Sequence, residues 1–237
     1  MNARRTTVVT EPGRQVALVW AGLPVLGAAV LWGVQAGADW VVSLPFAPLH
    51  GPFELVASIP EPQATFGAIG LGLLVGFVVA FMAAAERLSV EIADESVILN
   101  RGGTERMLDR TQVSGVFLEG KKLVVLGLGT EELARETSDL RGTDLADAFQ
   151  RHGYPWLTED PYRGEYRRWV DDMPGLPPGG NALLRARAKA LKKNDTEDAN
   201  QLRTELARLG VVVREDRKRQ FWRLSSHDQA RIDPDGR

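Results

Sequence analysis

Two stretches without a charged residue, 16–34 and 64–85, stand near the front of the chain, and the spacing of apolar positions changes character twice after them. A hydrocarbon core roughly 30 Å thick needs about 20 helical residues at ~1.5 Å rise each. The second stretch meets this with no charge and no Gln; the first reaches it through residues 36–38 if Gln35 sits near an interface. Both are apolar on every face, unlike the one-sided pattern of a helix covering a soluble core. The pattern therefore predicts transmembrane helices over 16–38 and 64–85, with a short N-terminus (1–15) before them and a loop (39–63) between them.

From Leu88 the period becomes two. Leu88, Val90 and Ile92 alternate with Ser89, Glu91 and Ala93, and Asp94-Glu95-Ser96 makes a turn. Further strands are expected over 97–101, 104–108, 113–118, 121–126 and 132–137, separated by turn residues such as Gly102-Gly103 and Glu119-Gly120. A helix over 143–152 follows, with Leu145 and Phe149 on one face and Gly153 as terminator. Residues 88–157 thus read as a small β-barrel or sandwich closed by one helix. Tyr162, Tyr166, Trp169, Val170 and Met173 then recur at helical spacing beside Arg163, Arg167 and Arg168. This predicts an amphipathic helix over 159–173 packed on its own domain, the rival being a place in the lipid interface. Residues 174–180, rich in Pro and Gly, read as a linker that completes a 158–180 connection. Beyond it, 181–224 carries a helix over 182–193 and a second helix capped by Asp195. That second helix is striped by Ala199, Leu202, Leu206 and Leu209 and stopped by Gly210; strands at 211–214 and 220–224 complete the unit. Residues 225–237 read as a flexible tail. The fold class expected is an α+β membrane protein.

Charge sharpens the topology. The formal net charge is −2, with no cysteine, which excludes disulfides, thiolate metal sites and a cysteine nucleophile. Residues 39–63 hold no Lys or Arg, whereas Arg4, Arg5, Arg14 and Arg87 flank the two apolar stretches on their other sides. The excess of basic residues places both termini in the cytoplasm of a multi-pass cell-membrane protein. A cleaved signal peptide is the alternative for the first stretch, since Ala36-Gly37-Ala38 has the form of a cleavage site; the apolar run exceeds the ~7–15 residues such peptides use. Inside the stretches, Ala68, Gly72, Gly76 and Ala80 form one small-residue stripe, and Ala29, Gly33 and Gly37 another. They are expected to face each other, a homodimer through the second being the rival. The absence of ionisable residues inside both argues against a transport path. His50 and Glu54 share helical spacing, but Pro52 between them opposes a helix, so no metal site is assigned.

The strands-then-helix order over 88–157, with its ending Ala148-Phe149-Gln150-Arg151-His152-Gly153-Tyr154-Pro155, resembles the bacterial pleckstrin-homology-like (PH-like) domains of membrane proteins. That resemblance implies a binding or scaffolding domain. Phosphoinositide binding does not carry over, because the first turn, Ala93-Asp94-Glu95-Ser96, is acidic.

The unit 181–224 holds twelve Lys and Arg against six Asp and Glu, whereas 88–157 holds eight against twelve. A basic module beside an acidic one suits phosphate backbones, and Phe221-Trp222 between Arg219 and Arg223 could stack on an unpaired base. The strings Leu184-Arg185-Ala186-Arg187-Ala188, Asp198-Ala199-Asn200-Gln201-Leu202-Arg203 and Leu209-Gly210-Val211, with the closing Trp222-Arg223, are similar to the C-terminal anticodon-binding domain of cysteinyl-tRNA synthetases. The resemblance implies RNA contact through Arg187, Lys192, Arg203, Lys218, Arg223 and Trp222. No adenylate-forming domain and no zinc cysteine accompany it, so aminoacylation is excluded. In whole-chain order the sequence resembles the bacterial YqeB-type two-span membrane proteins.

No paired carboxylates, nucleophile–base set or phosphate loop is legible, so the chain is expected to be no enzyme and to need no cofactor or metal. Its expected role is a membrane scaffold or adaptor that touches the lipid bilayer and a cytoplasmic protein. The alternative is a membrane-anchored protein that binds RNA, tRNA among the candidates.

Overall fold

The computed structural model describes residues 6–11, 13–42, 60, 62–85, 87–217 and 219–226, with the backbone but not the side chains at 15 and 38–42. Lys218, most of the loop 39–63 with His50 and Glu54, Arg4, Arg5 and the last eleven residues lie outside the described set. The chain divides into a helical unit, 10–89 with 100–104, and a unit built from 1–9, 90–99 and 105–237.

The helical unit is a hairpin of α1 (Gly13–Val42) and α2 (Gln63–Ala85), 30 and 23 residues long and so about 45 and 35 Å. Within them Val16–Gly37 and Gln63–Ala85 are long and apolar enough to cross a membrane. Leu18, Val25, Leu26 and Val30 of α1 and Phe66, Leu74, Phe77 and Phe81 of α2 point outward. The buried positions of α2 are Ala64, Gly72, Gly76 and Ala80, and Ala68 of the expected stripe is half-buried. Its partner is different from the one expected. A Cβ at Gly72 would collide with the Gly27–Ala28 backbone and one at Gly76 with Leu23 and Pro24, whereas Cβ atoms at Gly33 and Gly37 would meet nothing. The seam on α1 runs through Leu23, Pro24, Gly27 and Ala28 because Gly27, facing Gly72, has no side chain to keep the two backbones apart, and Gly76 one turn on lies against Leu23 and Pro24. Thr65 hydroxyl donates to the Gln35 side-chain carbonyl at 3.4 Å near the far end, and Glu11 pairs with Arg87 at 3.3 Å where the helices begin and end.

The second unit opens with a strand the periodicity did not predict, β1 (Thr6–Val9), antiparallel to β2 (Leu88–Ala93) with Val9 opposite Val90. β3 (Ser96–Arg101) and β4 (Thr104–Asp109) complete a sheet ordered β1-β2-β3-β4. β5 (Val113–Glu119), β6 (Lys122–Gly127) and β7 (Glu132–Thr137) form a separate antiparallel sheet. The predicted strands appear within one or two residues of their expected bounds. A closed barrel does not form: no ladder joins the two sheets among the described residues. α3 (Gly142–Arg151) buries Leu145, Ala148 and Phe149, and Phe149 meets Tyr154 edge-on at 5.7 Å and Trp156 in a stack at 5.9 Å.

A three-element tie fixes β1. His152, buried just past the end of α3, places Nδ1 2.6 Å from Asp94 Oδ1 in the β2–β3 turn and Nε2 2.9 Å from Thr7 Oγ1. Hydroxyl, imidazole and carboxylate stand in the order used for nucleophilic catalysis, but here they join a strand, a turn and a helix end. We expect His152→Ala to cost about 1–2 kcal/mol and to raise amide hydrogen exchange at Thr6–Val9 selectively; unchanged protection there would dismiss the tie.

Residues 159–173 do not form the expected helix. Pro161 and Gly164 interrupt it, leaving a single 3-10 turn (Arg163–Glu165) and then β8 (Arg167–Arg168). β8 pairs with β10 (Arg219–Leu224), which pairs with β9 (Val211–Asp216), giving the order β8-β10-β9. α4 (Gly180–Lys193) and α5 (Thr196–Arg208) cover one face. Asp195 caps α5 by accepting from Asp198 N at 3.1 Å, as expected, and Gly210 takes φ +71° after it. Leu184, Leu206, Val211, Val213 and Trp222 make the core, with Trp169, Met173 and Leu176 packed on it. The stretch expected to be a linker is therefore part of the module, because its Leu176, with Met173 just before it, packs on the core that holds Trp222.

Candidate functional site at the seam of sheet and tail

One face of the β5–β6–β7 sheet carries Phe117, Val124 and Leu126, with Leu157 and Tyr162 packed over them. Cross-strand partners share a face, so Arg135, opposite Val124, and the pair Glu119–Lys122 lie on it too. The tail supplies the complementary charges. Arg135 pairs with Glu132 at 2.8 Å and with Glu119. Arg214 of β9 reaches Glu119 at 2.8 Å, and Arg203 of α5 reaches Glu132 at 3.5 Å while donating to the Val213 carbonyl at 2.8 Å. Arg187 of α4, 1% exposed, donates to Ala199 O, Gln220 Oε1 and Glu215 Oε2 at 2.9–3.1 Å. Arg223 donates to the carbonyl and hydroxyl of Thr130 and lies over the rings of Tyr162 and Tyr166 at 4.6 and 5.4 Å.

Burial sets the electrostatics. It lowers the Lys122 ammonium, reinforced by Arg203 and Arg135, and pulls Arg203 down to about 10 against the opposing pull of Glu132. Burial also raises the Tyr166 phenol, which stays a donor. Burial would raise Glu215, but the Arg187 guanidinium together with Lys122 and Arg203 outweighs it and holds the carboxyl below its usual 4.5. A depressed folded-state carboxyl contributes stability above its unfolded pKa and loses it as pH falls through the folded one. The melting midpoint should therefore drop as pH falls below 4.5, and Glu215→Gln should flatten that part of the profile; an equally steep acid limb in the variant would remove Glu215 from the account.

The placement corrects several expectations. Arg187, Arg223 and Trp222 are at most 2% exposed, so they offer no surface to RNA: Trp222 fills the module core and the two arginines brace the chain against itself. Arg203 is likewise engaged, and Lys218 lies outside the described residues. Lys192 is exposed on α4 beside Lys189 and Lys193. Arg185, on the same helix, is held by Asp171 and Asp172. The sequence did carry a signal: Arg187 lies three residues from both Leu184 and Ala190, on the buried stripe of α4, and Arg203 four residues from Ala199.

Comparison with known proteins agrees with this division. The model of the YqeB-like bacterial PH domain matches residues 7–157, from β1 through both long helices to Leu157, six residues past the end of α3. The model of the cysteinyl-tRNA ligase anticodon binding domain matches 173–223, starting at the Met173 that packs on Trp222. "Uncharacterized protein YqeB" of Bacillus subtilis (strain 168) is 38% identical over 218 residues, 92% of this chain and 91% of that protein. No solved structure matches.

Proposed function

We propose, for a chain that belongs to the YqeB-like bacterial PH domain family, the role of a non-enzymatic membrane scaffold. It presents its PH-like sheets and tail module as one cytoplasmic body to a protein partner. The observation that carries this is the inward turn of Arg187, Arg203, Arg223 and Trp222: of the groups an RNA ligand would need, Arg187 and Trp222 are buried inside the tail module, and Arg203 and Arg223 instead hold that module on Glu132 and Thr130 of the β5–β7 segment. Both helices meet lipid with their outward Leu, Val and Phe side chains. Val9 opposite Val90 brings the start and end of the hairpin to one sheet, which fits two crossings with both termini on one side. The lack of Lys and Arg in 39–63 supports a cytoplasmic place for that side. The α2 stripe is occupied within the chain by α1, so a homodimer would use another surface.

Affinity purification of the full chain from membranes, with and without nuclease, tests the reading. One dominant protein partner that survives nuclease is expected; a partner lost with the RNA would overturn it.

RNA binding is the second reading, favoured by the anticodon-domain match and by exposed Lys189, Lys192 and Lys193. Each phosphate neutralised would steepen the salt dependence of binding by about 0.7–0.9 in log–log slope. Triple replacement of these lysines with Gln should then flatten it by about two units or more; an unchanged slope excludes the α4 face.

A further inference from the structure

The charges at the seam do not balance. Arg135, Arg187, Arg203 and Arg214 meet three carboxylates, Glu119, Glu132 and Glu215, in pairs. Lys122, half-buried among them, is a fifth cation and joins no ion pair among the described residues. Arg223, over the Tyr162 and Tyr166 rings, is a sixth cation, and buried Asp160, whose carboxylate acts on the Tyr166 phenol, is a fourth carboxylate. The cluster is left with an excess of two positive charges, which a partly dehydrated site does not hold without compensation. In the same place three buried polar atoms lack a hydrogen-bond partner: Arg135 Nε, Arg223 Nε and the Tyr166 hydroxyl. The Arg135 side chain is 8% exposed and Arg223 2%. Tyr166 connects them. Its ring lies 5.4 Å from the Arg223 guanidinium, whose N–H groups come within weak hydrogen-bonding reach of the phenol oxygen while the phenol proton is left without an acceptor, and the phenol interacts electrostatically with Arg135. Buried unpartnered donors in native proteins are few, and a bound water or ion is one of the explanations they call for.

We infer that the seam is a binding site for a doubly charged tetrahedral oxyanion of the phosphate class. Arg135 Nε, Arg223 Nε and the Tyr166 hydroxyl donate to it, and Lys122 joins in neutralising it. A phosphate dianion supplies both missing negative charges and enough acceptor oxygens for all three donors. Chloride or a single carboxylate supplies one charge, and water none. The oxyanion would clamp the tail to the β5–β7 sheet, making the assembly of the two modules responsive to a free or esterified phosphate.

The test uses the full chain in a neutral, phosphate-free detergent. Its thermal midpoint is followed against inorganic phosphate, glycerol 3-phosphate and chloride of matched ionic strength, and the phosphorus NMR line width of each phosphate is recorded. A saturable rise with phosphate, on the order of 5 °C at hundredfold excess over its dissociation constant, is expected beyond the chloride response, with line broadening. An equal response to glycerol 3-phosphate assigns the site to phosphomonoesters; a response to inorganic phosphate alone assigns it to the free ion. Lys122→Met, which breaks no ion pair, should fold with an unchanged or higher midpoint in chloride and bind phosphate about tenfold more weakly. Tyr166→Phe should weaken it similarly. No effect beyond matched chloride in the unaltered protein, or full phosphate response in both variants, overturns the site.

Discussion

Glu132→Gln is expected to destabilise the second unit by about 3 kcal/mol, the lower part of the range for breaking a buried ion pair, and to lower its melting midpoint by roughly 10 °C. The side chain is 9% exposed and serves two guanidinium groups, Arg135 at 2.8 Å and Arg203 at 3.5 Å. Gln keeps the shape and removes the charge. Arg135 keeps Glu119, which it already shares with Arg214, and Arg203 keeps only the Val213 carbonyl. The loss is then mainly the cost of charges left without their partner. Arg203→Met on the Glu132→Gln background should recover part of the loss, because it takes one of the stranded charges away; the double-mutant cycle reads the coupling directly. Glu205→Gln is the control. It breaks an exposed pair with Arg208 and should move stability by less than about 0.5 kcal/mol. Equal effects of Glu132→Gln and Glu205→Gln in chemical denaturation would mean that the seam is solvated and contributes no more than a surface pair.

The contrast between those two glutamates explains what could be read from the sequence. Local order was legible wherever a residue's neighbours along the chain decide its fate. Leu88, Val90 and Ile92 alternate and are buried in β2; Leu145 and Phe149 stand four apart and are buried in α3; Asp195 precedes a helix and caps it. The seam was not legible, because the partner of Arg203 is Glu132, seventy-one positions earlier, and nothing near Arg203 distinguishes a solvated arginine from a paired one. Composition then misleads: the net positive charge of 181–224 reads as a nucleic-acid surface when Arg203 and Arg214 complement carboxylates of the sheet and Arg187 and Arg223 are buried. β1 was missed for the opposite reason. Four residues make too short a run to show alternation, and only β2, some eighty residues later, turns Thr6–Val9 into a strand. The aromatic spacing over 162–173 was real but served a strap, since Pro161 and Gly164 stop a helix there and the same residues meet Arg223 and the tail core.

Gly76→Leu is expected to open the helical hairpin, where Gly33→Leu leaves it closed. The Gly76 position has the backbone of Leu23 and Pro24 against it, and a side chain has nowhere to go without moving a whole helix; overpacking of this kind costs about 1–3 kcal/mol, and more when backbone is what must yield. At Gly33 a Cβ meets nothing, and Leu is the better helix former. The chain has no cysteine, so a pair introduced as Gln35→Cys with Thr65→Cys, positions whose side chains now touch at 3.4 Å, reports closure without background. Crosslinking within one chain should fall about tenfold on adding Gly76→Leu, the equivalent of ~1.4 kcal/mol, and hold steady on adding Gly33→Leu. If Gly33→Leu were instead the damaging change, the seam would run along the Ala29, Gly33 and Gly37 stripe that spacing alone suggests. If Gly76→Leu abolished crosslinks between chains and spared those within a chain, the α2 stripe would belong to a dimer. Glycine decides between these outcomes in advance: Gly27 leaves α1 without a side chain where Gly72 of α2 meets its backbone, and Gly76 falls one turn on against Leu23 and Pro24.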